Sequence, residues 1–253
     1  MNNKITLSLL GGALVSGSAF AGEVVAPVAE CDTPCFEGNI YAGYHSDYIW
    51  RGTKQGQPLI DAGVDLSKSA WGLDFAGGAW LGSFKEQSGK DQTQELDLYA
   101  EVSKDFGFVN FTTGYIYYQI DTNASSEGDA KEVYFALSKD LAYGLSTSLT
   151  HYWNVTGNPD KFDNNGYSEL SASKSDLFLE NLGLGVDFGF LTEGWEAHHV
   201  TTTLGYDYAI SENATLSPYL AYTFELDAGD TTFSVSDQEQ NRFHGGVALS
   251  VSF

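Results

Sequence analysis

The chain ends on the stretch Arg242-Phe243-His244-Gly245-Gly246-Val247-Ala248-Leu249-Ser250-Val251-Ser252-Phe253. Apolar residues occupy every second position from Phe243 to Phe253, and only Gly245 interrupts them. Successive side chains of a β-strand point to opposite faces, so this spacing predicts a strand with one apolar face and one face of small and polar residues. An ordinary final strand that happens to end on Phe would look the same, so the fold depends on what precedes it.

The same alternation recurs from Glu37 onward in stretches of about ten residues, the length that a tilted strand needs to cross a bilayer. We predict about twelve strands, an even number that lets the chain begin and end on the same side. They cover residues 37–47, 57–67, 71–83, 94–104, 108–120, 131–139, 144–155, 167–178, 183–191, 198–210, 214–226 and 242–253. The stretch at 167–178 is the weakest, because serines and a lysine fall on both of its faces.

The connections separate the two classes of β protein that remain, a secreted soluble protein and a membrane barrel. Every second connection is short, at residues 67–70, 104–107, 139–143, 180–182 and 211–213. The others are longer and polar, at residues 48–56, 84–94, 121–130, 156–166 and 227–240. Outer-membrane barrels keep short turns on the periplasmic side and longer loops outside, whereas a soluble sandwich has no reason to sort its loops. We therefore expect an all-β fold, a closed antiparallel transmembrane β-barrel.

Closure is required because a sheet in hydrocarbon cannot keep an unpaired edge, so the strand at 37–47 should pair with the last one. The last strand is similar to the C-terminal signature of outer-membrane barrels, which the barrel-assembly machinery recognises, and this makes Phe253 the expected assembly signal. The expected location is the outer membrane, among its lipid and lipopolysaccharide. Aromatic residues near strand ends should form the interfacial girdles: Tyr44, Trp71, Tyr117, Trp153 and Tyr208.

The first residues have the order of a cleavable secretory signal, with Lys4, an apolar stretch at residues 5–15, and then Ala19-Phe20-Ala21. The apolar stretch falls short of the roughly 20 residues that a spanning helix needs. The sequence thus predicts three parts: a signal peptide at residues 1–21, a short periplasmic segment at 22–36, and the barrel at 37–253.

Charge and cysteine content limit the partners. The chain has 12 Lys and Arg against 34 Asp and Glu, a formal net charge of −22, and loss of Lys4 with the signal makes this −23. We expect no nucleic-acid partner, since such binding depends on Lys and Arg that neutralise phosphates. Cys31 and Cys35 are expected to form a small local disulfide in the oxidising periplasm, with a structural role.

The face assignment predicts what the lumen contains. Alternation turns eight carboxylates inward: Asp61, Asp65, Asp74, Asp97, Glu101, Asp187, Asp207 and Glu225. Arg242 is the clear inward basic residue, with Arg51 near the mouth. A water-filled pore of this composition concentrates negative potential and should favour cations. Inward tyrosines would narrow the pore and could stack against a ring-bearing solute: Tyr41, Tyr99, Tyr134, Tyr152 and Tyr219.

The first hairpin contains the segment Gly43-Tyr44-His45-Ser46-Asp47-Tyr48-Ile49-Trp50-Arg51-Gly52-Thr53-Lys54-Gln55, followed by Gln57-Pro58 and Ala62-Gly63-Val64-Asp65. This pattern resembles the opening motif of the TorF family of porins. Its family positions are Ser46, Asp47, Tyr48, Arg51 and Gly52. The resemblance covers the first hairpin, is architectural beyond Gly78, and implies an outer-membrane porin. From the residues themselves we expect an ion pair between Asp47 and Arg51, which pins a folded loop at the barrel mouth or contacts solute.

The sequence offers no clear catalytic or metal site. Five histidines and many serines are present, but their spacing singles out no Ser, His and carboxylate set. Acidic loops at residues 160–165 and 227–230 lack the regular spacing of a calcium site. We expect no enzyme, no cofactor and no dedicated metal site, and divalent cations that bridge the acidic loops to lipopolysaccharide stay an open alternative.

Two functions remain. The first is a narrow porin for passive diffusion of ions and small solutes, which the inward acidic and small residues favour. The second is a closed structural or surface-interaction barrel, because side chains or loops can plug a barrel of this size.

Overall fold

The structure is a computed structural model that describes residues 36–86, 92–122, 129–156, 166–192, 195–226 and 241–253. The expected signal peptide and the pair Cys31 and Cys35 lie outside the described residues, as do the acidic loops at 160–165 and 227–230. In the part of the chain that is described, no helix is both long and apolar enough to span a membrane.

The described chain forms one antiparallel sheet of 14 strands. Twelve of them build a closed barrel wall, the short β12 extends the pairing of β13, and the short β2 pairs with the start of β3. The strands are β1 (Glu37–His45), β2 (Tyr48–Trp50), β3 (Thr53–Ala70), β4 (Leu73–Glu86), β5 (Gln92–Asp105), β6 (Asn110–Thr122), β7 (Ala130–Leu141), β8 (Leu145–Asn154), β9 (Tyr167–Lys174), β10 (Leu182–Leu191), β11 (Glu196–Tyr206), β12 (Tyr208–Ala209), β13 (Ala214–Glu225) and β14 (Asn241–Ser252). A 3-10 turn in the described part of the chain covers Ala142–Gly144.

The barrel closes where the sequence predicted. Strand β1 pairs with β3 on one side and with β14 on the other, for example Ile40 with Val251. The last residue takes part, since the N–H groups of Gly38 and Phe253 each donate to the other's carbonyl oxygen at 2.9 Å. The prediction of a closed antiparallel barrel of twelve strands is confirmed.

The two faces of the wall differ in the way that the alternation predicts. Large apolar side chains are exposed on the outer face, among them Ile60, Leu81, Leu98, Leu137, Leu149, Leu170, Leu204, Leu220, Phe243 and Leu249. Such a belt has no counterpart on an ordinary soluble protein, which rarely exposes a large contiguous apolar surface. Of the expected girdle residues, Tyr44, Trp71, Trp153 and Tyr208 are also exposed, and Tyr117 is half-buried.

The predicted strand at residues 167–178 is too long, since β9 ends at Lys174. Residues 175–181 form a turn in which Asp176 and Asn181 both have positive φ, 49° and 65°. The Asn181 N–H donates to the Asp176 carboxylate at 2.8 Å, which holds the turn. The connection at this point is therefore longer than the expected link at 180–182, because polar side chains here satisfy backbone groups that a strand would pair.

The predicted loop at residues 48–56 is also wrong. It is a tight hairpin in which β2 pairs with the start of β3, with Trp50 opposite Thr53. Its two turn residues, Arg51 and Gly52, have φ of 49° and 78°, as a two-residue hairpin turn of the primed type requires. The hairpin leaves the wall where the pairing of β3 with β4 is irregular, between Gly56 and Leu59, because such irregularities bend a strand. We call residues 48–56 the plug hairpin.

Candidate functional site

Seven of the eight predicted carboxylates lie on the inner face of the wall by strand register, and Asp207 lies in the break between β11 and β12 with its side chain buried. Asp61 is buried and accepts a hydrogen bond from Trp80 Nε1 at 2.9 Å, with His45 Nε2 3.2 Å away. Tyr99 donates to Asp65, and Tyr134 donates to Glu101 at 2.5 Å. Asp74 accepts a hydrogen bond from Ser69, and Asp207 accepts one from Ser217 at 2.6 Å. Asp97 is 0% exposed, and Asp187 lies opposite Ser171 and Thr201 on the neighbouring strands. The Glu225 carboxylate lies 3.9 Å from Arg242.

The lumen differs between its two halves. Toward the end that carries the connections at 87–91, 123–129 and 155–166, which we call the long-loop end, bulky inward side chains are buried and pack together. They form an aromatic cluster of Tyr48, Trp50, Leu59, Trp80, Phe84, Ile116, Tyr118, Ala130, Tyr134, Tyr152, Tyr167 and Leu191. Toward the other end, the short-turn end, the inward positions are small or polar and partly exposed, among them Gly78, Ser103, Ala136, Ser148, Ser171, Ser173, Ala248 and Ser250. Solvent therefore reaches the inner face in this half of the barrel.

The plug hairpin lies inside the long-loop half. The Tyr48 ring packs against Phe84 on β4, with ring centroids 4.8 Å apart, and the Trp50 ring meets Tyr118 on β6 at 6.3 Å. On the far side, Gly52 packs closely against His199 on β11, and a Cβ at this position would overlap the imidazole. A hairpin that starts beside β1 and touches β4, β6 and β11 must cross the lumen.

Arg51 at the hairpin tip is held by side chains of the opposite wall. Its two terminal nitrogens donate to the two carboxylate oxygens of Glu132 on β7, at 2.8 and 2.7 Å. The guanidinium carbon also lies 4.5 Å from the ring centroids of both Tyr152 and Tyr167, and 4.4 Å from that of Trp50. Both charged groups are buried, with Arg51 6% and Glu132 2% exposed. Such a paired, desolvated cation against aromatic faces is a strong contact.

The expected ion pair between Asp47 and Arg51 is wrong. The hairpin turn carries Arg51 away to Glu132, while Asp47 pairs with Lys54 at 2.5 Å across the hairpin base. Burial alone would raise the pKa of Asp47, but hydrogen bonds from Lys54 and Ser46, and the charge of Lys54, hold that pKa below its usual value. The pair therefore stabilises the hairpin base in full at pH values above the ordinary Asp pKa of about 3.9. This stabilisation is lost as the pH falls through the lowered pKa of Asp47.

Two further carboxylates beside the hairpin were not among the predicted lumen residues. Glu132 and Glu95 are inward and buried. The signal was present, since each lies two positions before an inward residue that was identified, Tyr134 and Asp97. Histidines were also assigned no role, although His45 bridges Asp61 and the Tyr219 hydroxyl, the latter at 2.8 Å.

One serine and histidine pair is brought together. His151 Nδ1 lies 2.8 Å from Ser168 Oγ across β8 and β9, and Thr192 Oγ1 lies 3.4 Å from the same nitrogen. The partners of that ring nitrogen within the described residues are thus hydroxyls. Ser168 is 5% exposed, so its oxygen is covered. A nucleophile needs an accessible oxygen and an oriented base, and this pair lacks the first of these.

Comparison with solved structures places the chain among outer-membrane barrels. Outer membrane phospholipase A from Escherichia coli is 13% identical, covers 90% of this chain and 96% of its own, and gives a TM-score of 0.51. KdgM porin is 11% identical, covers 85% of this chain and 99% of its own, and also gives 0.51. The Salmonella typhi outer membrane phospholipase dimer with bound calcium is 13% identical. The match covers 94% of this chain and 98% of that one, with a TM-score of 0.50.

These similarities show the fold and go no further, because the fold accommodates both a porin and a phospholipase. No protein-family model matches the chain, and no curated protein matches it in sequence. The resemblance to the TorF family is accordingly not confirmed, whereas the outer-membrane barrel fold that it implied is supported.

Proposed function

We propose that this protein is an outer-membrane channel for passive diffusion of small cationic solutes, and that the plug hairpin is its constriction. The observation that carries the proposal is the asymmetry of the lumen. Partly exposed small and acidic side chains line the half toward the short-turn end, whereas the hairpin and the aromatic cluster fill the half toward the long-loop end. In outer-membrane barrels the long loops face outward, so the constriction would lie at the extracellular mouth.

Charge supports a preference for cations. The wall turns at least the seven inward carboxylates named above into the lumen, against Arg242 and the hairpin's Arg51, and Arg51 is already paired with Glu132. A narrow lumen with low-dielectric walls concentrates the potential of such groups. The resemblance of the first hairpin to the TorF porin motif points in the same direction.

A second candidate is a closed barrel without transport. It is favoured by the burial of the hairpin tip, because a hairpin that never leaves the lumen would leave no path for solutes through the barrel. Planar-bilayer recording on the purified protein separates the two. Openings with ion current support the channel, and silence in both the native protein and hairpin variants supports the closed barrel.

Selectivity should depend on the carboxylates of the solvent-accessible half. Glu101→Gln with Asp187→Asn removes two inward charges that are partly exposed in mid-strand. Under a salt gradient, the native channel should give a reversal potential of the sign for cations, and the double variant should move it toward zero. The native preference should also weaken at high salt, as the charges are screened.

The matched control for that measurement compares Asp187→Asn alone with Asp105→Asn, which makes the same single change in an exposed residue at the short-turn rim. Asp105→Asn should leave the reversal potential close to the native value. Anion preference in the native channel, or equal shifts in the two variants, would refute the assignment of selectivity to the lumen.

A further inference from the structure

We propose that the inner wall carries a binding site for guanidinium-bearing solutes, and that in this structure the chain's own Arg51 occupies it. We call the site the wall cage and define it as Glu132 on β7, Tyr152 on β8 and Tyr167 on β9. The proposal rests on the channel function above, because a solute must enter the lumen to reach the cage. It adds the chemical class of the solute.

The geometry of the cage fits a planar, delocalised cation. Glu132 accepts two parallel hydrogen bonds at 2.8 and 2.7 Å, and both tyrosine rings lie 4.5 Å from the cationic carbon. A guanidinium offers two donors fixed in one plane together with a flat face that stacks on aromatic rings. An ammonium is a compact charge that can approach an aromatic face but has neither the planar donor pair nor the flat face. A metal ion needs several oxygen ligands, and no cluster of three or more potential ligands is found among the described residues.

The cage is held in place by the wall and does not depend on the hairpin. The Tyr118 hydroxyl donates to Glu132 Oε2 at 2.9 Å, and the Tyr167 hydroxyl donates to the Glu169 carboxylate at 2.7 Å. The rings of Tyr152 and Tyr167 lie 6.0 Å apart between centroids, and strand pairing fixes their backbones opposite each other. These contacts orient the cage before a ligand arrives, which lowers the entropic cost of binding.

The built-in ligand is less well satisfied than the cage. Arg51 has a φ of 49°, a conformation that residues with side chains adopt rarely. Its Nε is buried with no hydrogen-bond partner among the described residues. A free guanidinium solute carries neither restriction, so it can compete for the cage. Competition of this kind would couple arrival of the solute to withdrawal of the hairpin.

The test measures binding apart from transport, on the full purified chain in detergent. Arg51→Ala empties the cage, and Arg51→Gln serves as a second variant. Both should assemble, because Arg51 lies in the hairpin turn and outside the wall ladder, and heat-modifiable gel migration verifies this. Methylguanidinium chloride is titrated at constant ionic strength against methylammonium chloride. The heat of binding is followed by isothermal titration calorimetry, because this readout does not depend on the position of the hairpin.

We expect a saturable heat of binding with methylguanidinium in both variants. Methylammonium should bind at least tenfold more weakly, because it keeps the contact with the aromatic faces but loses the paired, coplanar hydrogen bonds to Glu132. Binding should be at least tenfold weaker in the native protein, where Arg51 fills the cage, and in the double variant R51A/E132Q. Equal responses to the two cations, or unchanged affinity in R51A/E132Q, would overturn the proposal. Saturable binding without ion flux in any variant would support the cage and refute the channel, whereas flux through R51A without saturable binding would refute the cage alone.

Discussion

Arg51→Ala should convert a barrel that opens rarely into one that stays open, measured as open probability in single-channel recordings. The substitution leaves Glu132 buried at 2% exposure without its cation. Loss of one partner from a buried ion pair costs about 3–5 kcal/mol. If that cost falls on the seated hairpin, the ratio of withdrawn to seated hairpin rises by a factor of roughly 10² to 4 × 10³.

The control for this prediction is Arg242→Ala, which removes an inward arginine from the wall strand β14 and not from the hairpin. It should alter selectivity and leave the open probability near the native value. Glu132→Gln should open the channel less than Arg51→Ala, since the amide oxygen still accepts one hydrogen bond. The double variant R51A/E132Q should be less open than the sum of the single effects predicts, because the uncompensated charge is gone. Native-like gating in Arg51→Ala would show that the hairpin is not the barrier.

The wall of the barrel could be predicted from the sequence because its information is local. Period-two alternation within one strand determines which side chains face inward, and Asp97 and Glu101 on β5 lie inside as their spacing implied. Closure could be predicted as well, since a membrane sheet without free edges must pair its first strand with its last. Both inferences use only the side-chain pattern of single strands and the fact that lipid cannot satisfy free backbone groups.

The plug could not be predicted because its contacts join distant parts of the chain. Arg51 and Glu132 are 81 positions apart, and nothing within either strand indicates that they meet across the lumen. The turn also lacks the usual signal, since two-residue hairpins favour Asn-Gly or Asp-Gly and this one has Arg-Gly. In the sequence the nearest carboxylate to Arg51 is Asp47, which made it the expected partner. Only the three-dimensional path of the hairpin shows that Asp47 pairs with Lys54 and Arg51 with Glu132.

Phe253 should matter more for assembly of the barrel than for its stability. The side chain is 64% exposed on the outer face, at the rim where the last residue pairs with Gly38. An acidic residue near the membrane interface on the lipid face costs only about 0–1 kcal/mol. Energetics alone therefore predict a mild effect of Phe253→Asp. If the assembly machinery recognises the terminal aromatic residue, the same substitution should have a large effect.

We expect Phe253→Asp, and deletion of Phe253, to reduce the amount of folded protein in the outer membrane severely, as measured by membrane fractionation and heat-modifiable gel migration. The matched control is Ile40→Asp, which places the same charge on the exposed outer face of β1, opposite Val251 of β14. It perturbs the same seam but lies outside the terminal pattern. If assembly recognition is the cause, Ile40→Asp should retain most of its folded protein while Phe253→Asp does not. Equal losses would assign the effect to the stability of the seam, and native abundance of Phe253→Asp would remove the terminal residue from assembly altogether.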